Sequence, residues 1–509
     1  MNVKVFVKSV FCSIALLCVL KQLSAQESVF CNEVDSILKG SNDYFPFGVA
    51  SGDPQYHSVI LWTCVYPRIE SDVLVEWEMS TDTLFRSTLI QGTVYAKRAQ
   101  GYTVKVAPDS LQPGHTYYYR FRYNGQYSVT GRTITISQSP QKLSFGIVSC
   151  SSISWGYYNA YGALAREPDL QAVIHLGDYI YEYGAEKYFN PSLNRRPLPK
   201  HEIISEQDYR SRYAQYRLDP DLQELHRLQP FITVWDDHEI ANDAYKDGAQ
   251  NHQAETEGLW EQRKSTARRV YFEWLPIREH EQYDIRRNFS FGGLASLFML
   301  DGRLEGRTKQ LPALTDSSLN DTSRTMLGKQ QADWLIESVV NTDAKWKLIG
   351  NQVIFSEYKI PPKLGSYSKS TDMWNGYPVE RSRILSAFQS DSVDDVIILT
   401  GDVHCSFSFD LRYNREDAKT SFGSEWVTTS VSSPNLNEYT KTWKVRIAER
   451  LFRKKSLNPN FQYCNLRDHG FLRIDLTQQS AIATWKYVNI VKPNQYKTKT
   501  GKVITKRSE

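Results

Sequence analysis

Five short apolar runs, in order along the chain, each stop at a polar or metal-competent tip, and this pattern restricts the fold more than any other feature. Phe145-Gly146-Ile147-Val148 runs into Ser149-Cys150, and 172–176 runs into Gly177-Asp178-Tyr179-Ile180-Tyr181. Farther on, 231–235 leads to Asp236-Asp237-His238-Glu239, 347–350 to Asn351-Gln352, and 396–400 to Gly401-Asp402-Val403-His404. Continuous runs of this length alternating with helical stretches read as buried strands of an α/β or layered α/β sandwich. Ligands of such sheets gather outside the carboxyl ends of the strands, so the five tips are expected to converge on one site. Helices are expected over 206–228 and 257–274, each charged on one face and aromatic or aliphatic on the other. A third, over 444–455, is basic and amphipathic; its cations are either solvated surface or a rim that attracts anions.

The first third of the chain has a different texture. Short alternating runs at 59–62, 73–77, 102–106 and 116–123 are broken by turn residues, and Asn124-Gly125 supplies a hairpin tip. This is the spacing of an immunoglobulin-like or fibronectin-like β domain, expected over 45–137, followed by a polar linker around Pro140. Ahead of it, Lys4 and Lys8 precede an apolar run over 10–20 and then Leu23-Ser24-Ala25, which reads as a signal peptide over 1–25. That run is too short for the roughly 20 residues of a spanning helix, and no comparable run recurs. With no twin-arginine pair, export by general secretion to the periplasm or the exterior is expected, without a transmembrane segment. The stretch 491–509 is expected to be a basic, flexible tail.

Charge narrows the partners. Lys+Arg number 61 against 57 Asp+Glu, and loss of Lys4, Lys8 and Lys21 with the leader lowers the formal charge from +4 to +1. No overall electrostatic footprint for nucleic acid follows from so even a balance. Five cysteines remain in the mature chain, an odd number that leaves at least one thiol without an internal disulfide partner. Cys64 and Cys464 read as small buried apolar side chains, whereas Cys150 sits at a strand tip.

The tips suit a binuclear centre. Asp178, after a glycine, can offer one oxygen to each of two cations, with Tyr181 three residues on for the first of them. Asp237 and His238 add a carboxylate and an imidazole. Asp402 and His404, two apart in an extended segment, project to one side and can address neighbouring cations. As a thiolate, Cys150 is a strong soft ligand.

In this order the tips, together with Phe47-Gly48-Val49-Ala50-Ser51-Gly52-Asp53-Pro54, Leu61-Trp62-Thr63 and Met299-Leu300-Asp301-Gly302-Arg303, resemble the alkaline phosphatase D (PhoD-like) branch of the metallophosphoesterases over about residues 45–480. The resemblance implies an α/β (α+β) fold: a four-layer sandwich of two central mixed sheets flanked by helices, over 142–490, preceded by the small β-sandwich domain. It implies hydrolysis of phosphoric esters by in-line attack of a metal-bound hydroxide. Fe(3+) would be held by Cys150, Asp178, Tyr181 and His404. Ca(2+) would be held by Asp178, Asp237 and Asp402, with Asn351 or Gln352 nearby. Thiolate, phenolate and imidazole suit iron and hard oxygens suit calcium; Zn(2+) or Mn(2+) is the alternative. His238 would orient the phosphate or protonate the leaving oxygen, and Asn242, Arg303, His252 and Gln352 would contact substrate.

The substrate expected is a phosphate ester, either a small molecule or a polymer or lipid head group, and the protein is expected to be a monomer. The rival class is a cell-surface glycan- or protein-binding protein whose metal site is purely structural.

Overall fold

The computed structural model describes residues 28–360, 371–413 and 421–508; the signal-peptide segment lies outside the described residues. Two large mixed sheets form the centre. The first, of nine strands, runs in the order Lys499–Arg507, Ser480–Val488, His469–Leu476, Leu143–Val148, Ala172–His175, Pro230–Thr233, Val49–Gly52, Ile60–Cys64, Thr103–Val106. The second, of seven, runs Arg287–Phe291, Ala295–Met299, Trp346–Asn351, Val396–Thr400, Gly423–Val427, Ser406–Leu411, Phe461–Asn465. The four strands from Leu143–Val148 to Val49–Gly52 are mutually parallel, as are those from Ala295–Met299 to Gly423–Val427, so their carboxyl ends lie on one edge.

Period-2 alternation explains the layering. In Val396–Thr400, Ile397 and Leu399 belong to the core between the two sheets, while Val396 and Ile398 belong to a second core with helices Gly328–Val340 and Pro378–Ser390. The inter-sheet core is tight: Phe145 meets Phe291 at 5.0 Å between ring centroids, and Trp485 Nε1 donates to the Val427 carbonyl at 2.9 Å. Helices Asn159–Leu164, Glu206–Arg217, Pro220–Leu228 and Trp260–Trp274 cover the outer face of the first sheet through the same core. The result is the expected mixed α/β architecture with a β domain in front.

Several local expectations are corrected. The helix expected over 206–228 is two helices, because Asp219 caps a new start by accepting from the Asp221 and Leu222 amides and Pro220 occupies its first turn. The helix expected from 257 begins at Trp260, after Gly258 with φ +82°. The β domain does not close on itself: its strand Val49–Gly52 pairs in parallel with Pro230–Thr233, so one of its two sheets continues the large sheet. Gly52 permits this, since a Cβ there would sit 2.7 Å from the Phe231 carbonyl oxygen of the partner strand. The basic tail is not flexible throughout. Lys499–Arg507 forms the edge strand of the nine-stranded sheet, hydrogen-bonded to Ser480–Val488, where a row of lysines on an edge discourages further pairing. All five cysteines of the described chain are free thiols. Among the described residues no helix is long and apolar enough to cross a membrane.

Candidate metal centre

The expected strand tips meet. Cys150, Asp178 and His404 place one ligand atom each within 4.8 Å of one another, and so do Asp178, Asp237 and His238, and Asp236, Asp237 and Asp402. Asp178 is common to the first two groups. The backbone at these tips is unusual: Cys150, Asp178, Asp402 and His404 all have φ between +56° and +62°, a region non-glycine residues rarely enter except where the surroundings fix them. Gly177, at φ +102°, lets its turn approach the Asp236 loop, where a Cβ would lie 2.4 Å from Asp236 Cβ. Glu239 ties the two loops together. Its buried carboxylate accepts from the amides of Asp178 (3.1 Å), Tyr179 (2.6 Å) and Asp236 (2.9 Å).

Side-chain contacts then orient the donors. Tyr181 Oη lies 2.8 Å from Asp178 Oδ2 and 3.1 Å from His404 Nε2, and Ser433 Oγ donates to it at 2.7 Å. His404 Nδ1 is 2.8 Å from the Pro434 carbonyl, which fixes the proton there and leaves Nε2 as the lone-pair nitrogen. His238 Nδ1 is 2.7 Å from Glu182 Oε2, and the other Glu182 oxygen accepts from the Asn242 amide and Asn251 Nδ2. Asp237 Oδ2 accepts from the Asp243 amide at 2.6 Å. Asp178 Oδ1, Asp236 Oδ2 and Asp237 Oδ1 are buried without a hydrogen-bond partner in the described structure.

Electrostatics match that orphaning. Burial pushes the Asp178 carboxyl well above its usual range, opposed by His238 and reinforced by Asp236 and Asp237. Burial and Asp236 do the same to Asp402. The Cys150 thiol is raised by burial and then by Asp178, and burial lowers His404 to about 4. His238 goes the other way: burial disfavours its charge, yet Asp237, Glu182 and Asp178 together hold the imidazolium. Donors whose charged forms are penalised by burial and by one another are relieved by a cation among them, so the residues fit the implied metals.

The other expected residues differ in where the fold places them. Arg303, expected to contact substrate, is fully buried: it reaches Asp236 through Nε, pairs with both Asp372 oxygens at 2.9 and 3.0 Å, and approaches Asp402 at 3.4 Å and Asp237 at 3.8 Å. It supports the ligand loops from beneath. Asn351 and Gln352 are also buried and engaged internally. The Asn351 amide donates to the Val353 carbonyl and Thr400 Oγ1 and accepts from Trp374 Nε1; Gln352 bridges the Gly302 amide and the Leu300 carbonyl. Each amide oxygen already accepts one hydrogen bond within the fold. His252 packs on Trp260, 5.3 Å between centroids, beside Glu257 rather than among the donors. Asn242 remains next to the site, half-buried, its amide nitrogen held by Gln250. Sequence reasoning passed over Asp236, Glu239, Glu182 and Asp372; the first two stood in the Asp-Asp-His-Glu tip, while Asp372 had no motif to reveal it.

The family model for PhoD-like phosphatases matches residues 145–485, and that for the PhoD-like N-terminal domain matches 33–137. The chain belongs to the PhoD-like phosphatase family. It is 34% identical to alkaline phosphatase D of Bacillus subtilis (strain 168), over 96% of this chain and 84% of the relative. The solved structure of PhoD superposes with a TM-score of 0.82 at 32% identity, covering 92% of this chain and 91% of that one. As a PhoD-like phosphatase it is a hydrolase of phosphoric esters, and the candidate metal clusters stand at the strand tips of its catalytic fold.

Proposed function

We propose that this PhoD-like phosphatase is exported by general secretion and hydrolyses phosphoric esters by in-line displacement at a two-cation centre. Cys150, Asp178, Tyr181 and His404 would hold the first cation, iron being the proposed metal. Asp178, Asp237 and Asp402 would hold the second, for which calcium is proposed; Asp236 stands in one oxygen cluster with Asp237 and Asp402. The observation that carries this reading is the position of Asp178: one carboxylate lies in both donor groups, with one oxygen against Tyr181 and the other unpartnered though buried. Two cations held there would supply Lewis-acid chemistry, lowering the pKa of an attacking water and neutralising charge on the phosphoryl oxygens.

The chain's own residues supply the rest. Glu182 grips His238 Nδ1 and so directs Nε2, which lies 4.0 Å from Asp237 Oδ1, toward the space beside the donors. As an imidazolium there, His238 donates to a phosphoryl oxygen or gives its proton to the leaving oxygen. His404 is kept neutral by burial, against the pull of its Pro434 hydrogen bond, which holds the proton on Nδ1 and leaves Nε2 to serve as a ligand.

Two measurements test the proposal. Chelation followed by gel filtration is expected to abolish hydrolysis of both a chromogenic phosphomonoester and a chromogenic bis-ester, with recovery on adding back iron and calcium; undiminished activity in metal-free protein would refute it. The pair of substrates also decides between mono- and diester preference. For Cys150→Ser, elemental analysis is expected to show loss of the first metal by tenfold or more in affinity, about what even an indirect support of a ligand is worth. The visible absorption expected of a tyrosinate on ferric iron should fade with it, while circular dichroism stays unchanged. Wild-type iron content in this variant would remove the thiolate from the ligand set.

A further inference from the structure

The basic helix singled out in the sequence is observed as Thr442–Phe452, preceded by the short helix Leu436–Tyr439. Its inner face is conventional: Val445, Ala448 and Phe452 are buried in an apolar cluster with Phe407, Phe409 and Phe461. The outer face departs from the ordinary pattern, in which the side away from the core is polar. Trp443 and Ile447, four apart, are exposed to 57% and 46%, and Tyr439, at the end of the preceding short helix, to 63%. Exposed cations surround them: Lys441, Lys444, Arg446, Arg450 and Lys454. Between residues 440 and 460 the one acid is Glu449, which is buried and paired with Arg467 at 2.7 Å. None of those five cations is ion-paired among the described residues, so the face carries uncompensated positive charge around an indole and an isoleucine.

We propose that this outer face docks the protein on an anionic lipid bilayer. Cations among the headgroups with tryptophan and aliphatic side chains at the acyl boundary are the requirements of an interfacial helix lying in the membrane plane. A soluble polyanion would use the cations and leave Trp443 and Ile447 in water, so the exposed apolar pair favours the bilayer. The face is also continuous with the metal centre. Tyr439 packs on Trp155 (6.1 Å), Trp155 on Tyr188 (5.5 Å), and Tyr188 on Tyr181 (5.2 Å), a run of rings that links the docked face to the metal centre.

The test is cosedimentation of the full mature chain with vesicles of phosphatidylcholine alone or containing phosphatidylglycerol. Binding is expected only to the anionic vesicles and is expected to fall with salt. The triple variant Lys444→Gln, Arg446→Gln, Arg450→Gln should bind about a hundredfold more weakly. Trp443→Ser with Ile447→Ser should lose at least about tenfold. Melting temperatures show that both variants remain folded, since every substituted side chain is exposed. Failure of wild type to bind anionic vesicles at low salt overturns the proposal. So does binding that Trp443→Ser with Ile447→Ser leaves intact, or retention of the chain by soluble polyphosphate to the same degree and with the same indifference to those two changes. Hydrolysis of a soluble ester is a separate readout, so loss of docking does not bear on the two-cation reading.

Discussion

Asp178→Asn is expected to lower kcat on phosphate esters by about a thousandfold or more and to deplete both cations together. The expected size exceeds that of losing one transition-state donor or one indirect ligand support, because the proposed bridge would serve both metals. In the structure one Asp178 oxygen lies 2.8 Å from Tyr181 Oη and the other is unpartnered. An amide keeps a single acceptor oxygen and no charge, so it can satisfy Tyr181 or a cation but cannot join two. The same substitution should not harm the metal-free fold. Burial and the neighbouring acids Asp236 and Asp237 already penalise the Asp178 carboxylate, so removing its charge is neutral or stabilising once the cations are stripped. The two effects therefore have opposite signs: thermal unfolding of the chelated variant occurs at or above the wild-type temperature, whereas the metal-loaded wild type gains a stabilisation the variant lacks. A variant that keeps its metals and its turnover would show that Asp178 is not a bridge.

The strand tips were legible because apolar runs of four to six residues ending in Gly-Asp or Asp-Asp-His have few structural uses. Cys150, Asp178, Asp237, His238, Asp402 and His404 accordingly meet where the sheet order brings their ends together. What those letters could not show was the backbone. Left-handed φ at four non-glycine residues is imposed by neighbouring loops, such as the Glu239 carboxylate that gathers three amides. Asn351 and Gln352 carry ligand-competent oxygens, and the internal bonds those oxygens make, to Trp374 and Gly302, come from residues outside the motif itself. The join between the β domain and the catalytic sheet was hidden in a strand of four residues, Val49–Gly52, whose parallel partner lies some 180 residues later. Asp219-Pro220 was a readable break that the helical pattern around it masked.

Arg303 is where sequence and structure lead to opposite experiments. A substrate-contacting arginine replaced by methionine would raise KM and leave stability alone. The observed arginine has no exposed surface, and its guanidinium lies among four carboxylates of Asp236, Asp237, Asp372 and Asp402. It holds the Asp372 carboxyl below its usual range against the effect of burial, with help from Arg307. Removing it leaves several buried acids without a counter-charge, which costs about 3–5 kcal/mol, a large part of the 5–15 kcal/mol that keeps a typical domain folded. Arg303→Met is therefore expected to unfold at a clearly lower temperature or denaturant midpoint. Arg303→Lys should recover part of the loss, since one ammonium restores charge but cannot span Asp236 and the two Asp372 oxygens as the fork does. Adding Asp372→Asn to Arg303→Met should also restore stability, because it removes one of the stranded charges. The proposed metals provide a further check: a cation beside Asp237 and Asp402 would supply some of the missing positive charge, so the deficit should shrink in loaded protein and widen on chelation. Unchanged midpoints with a raised KM would return Arg303 to the substrate.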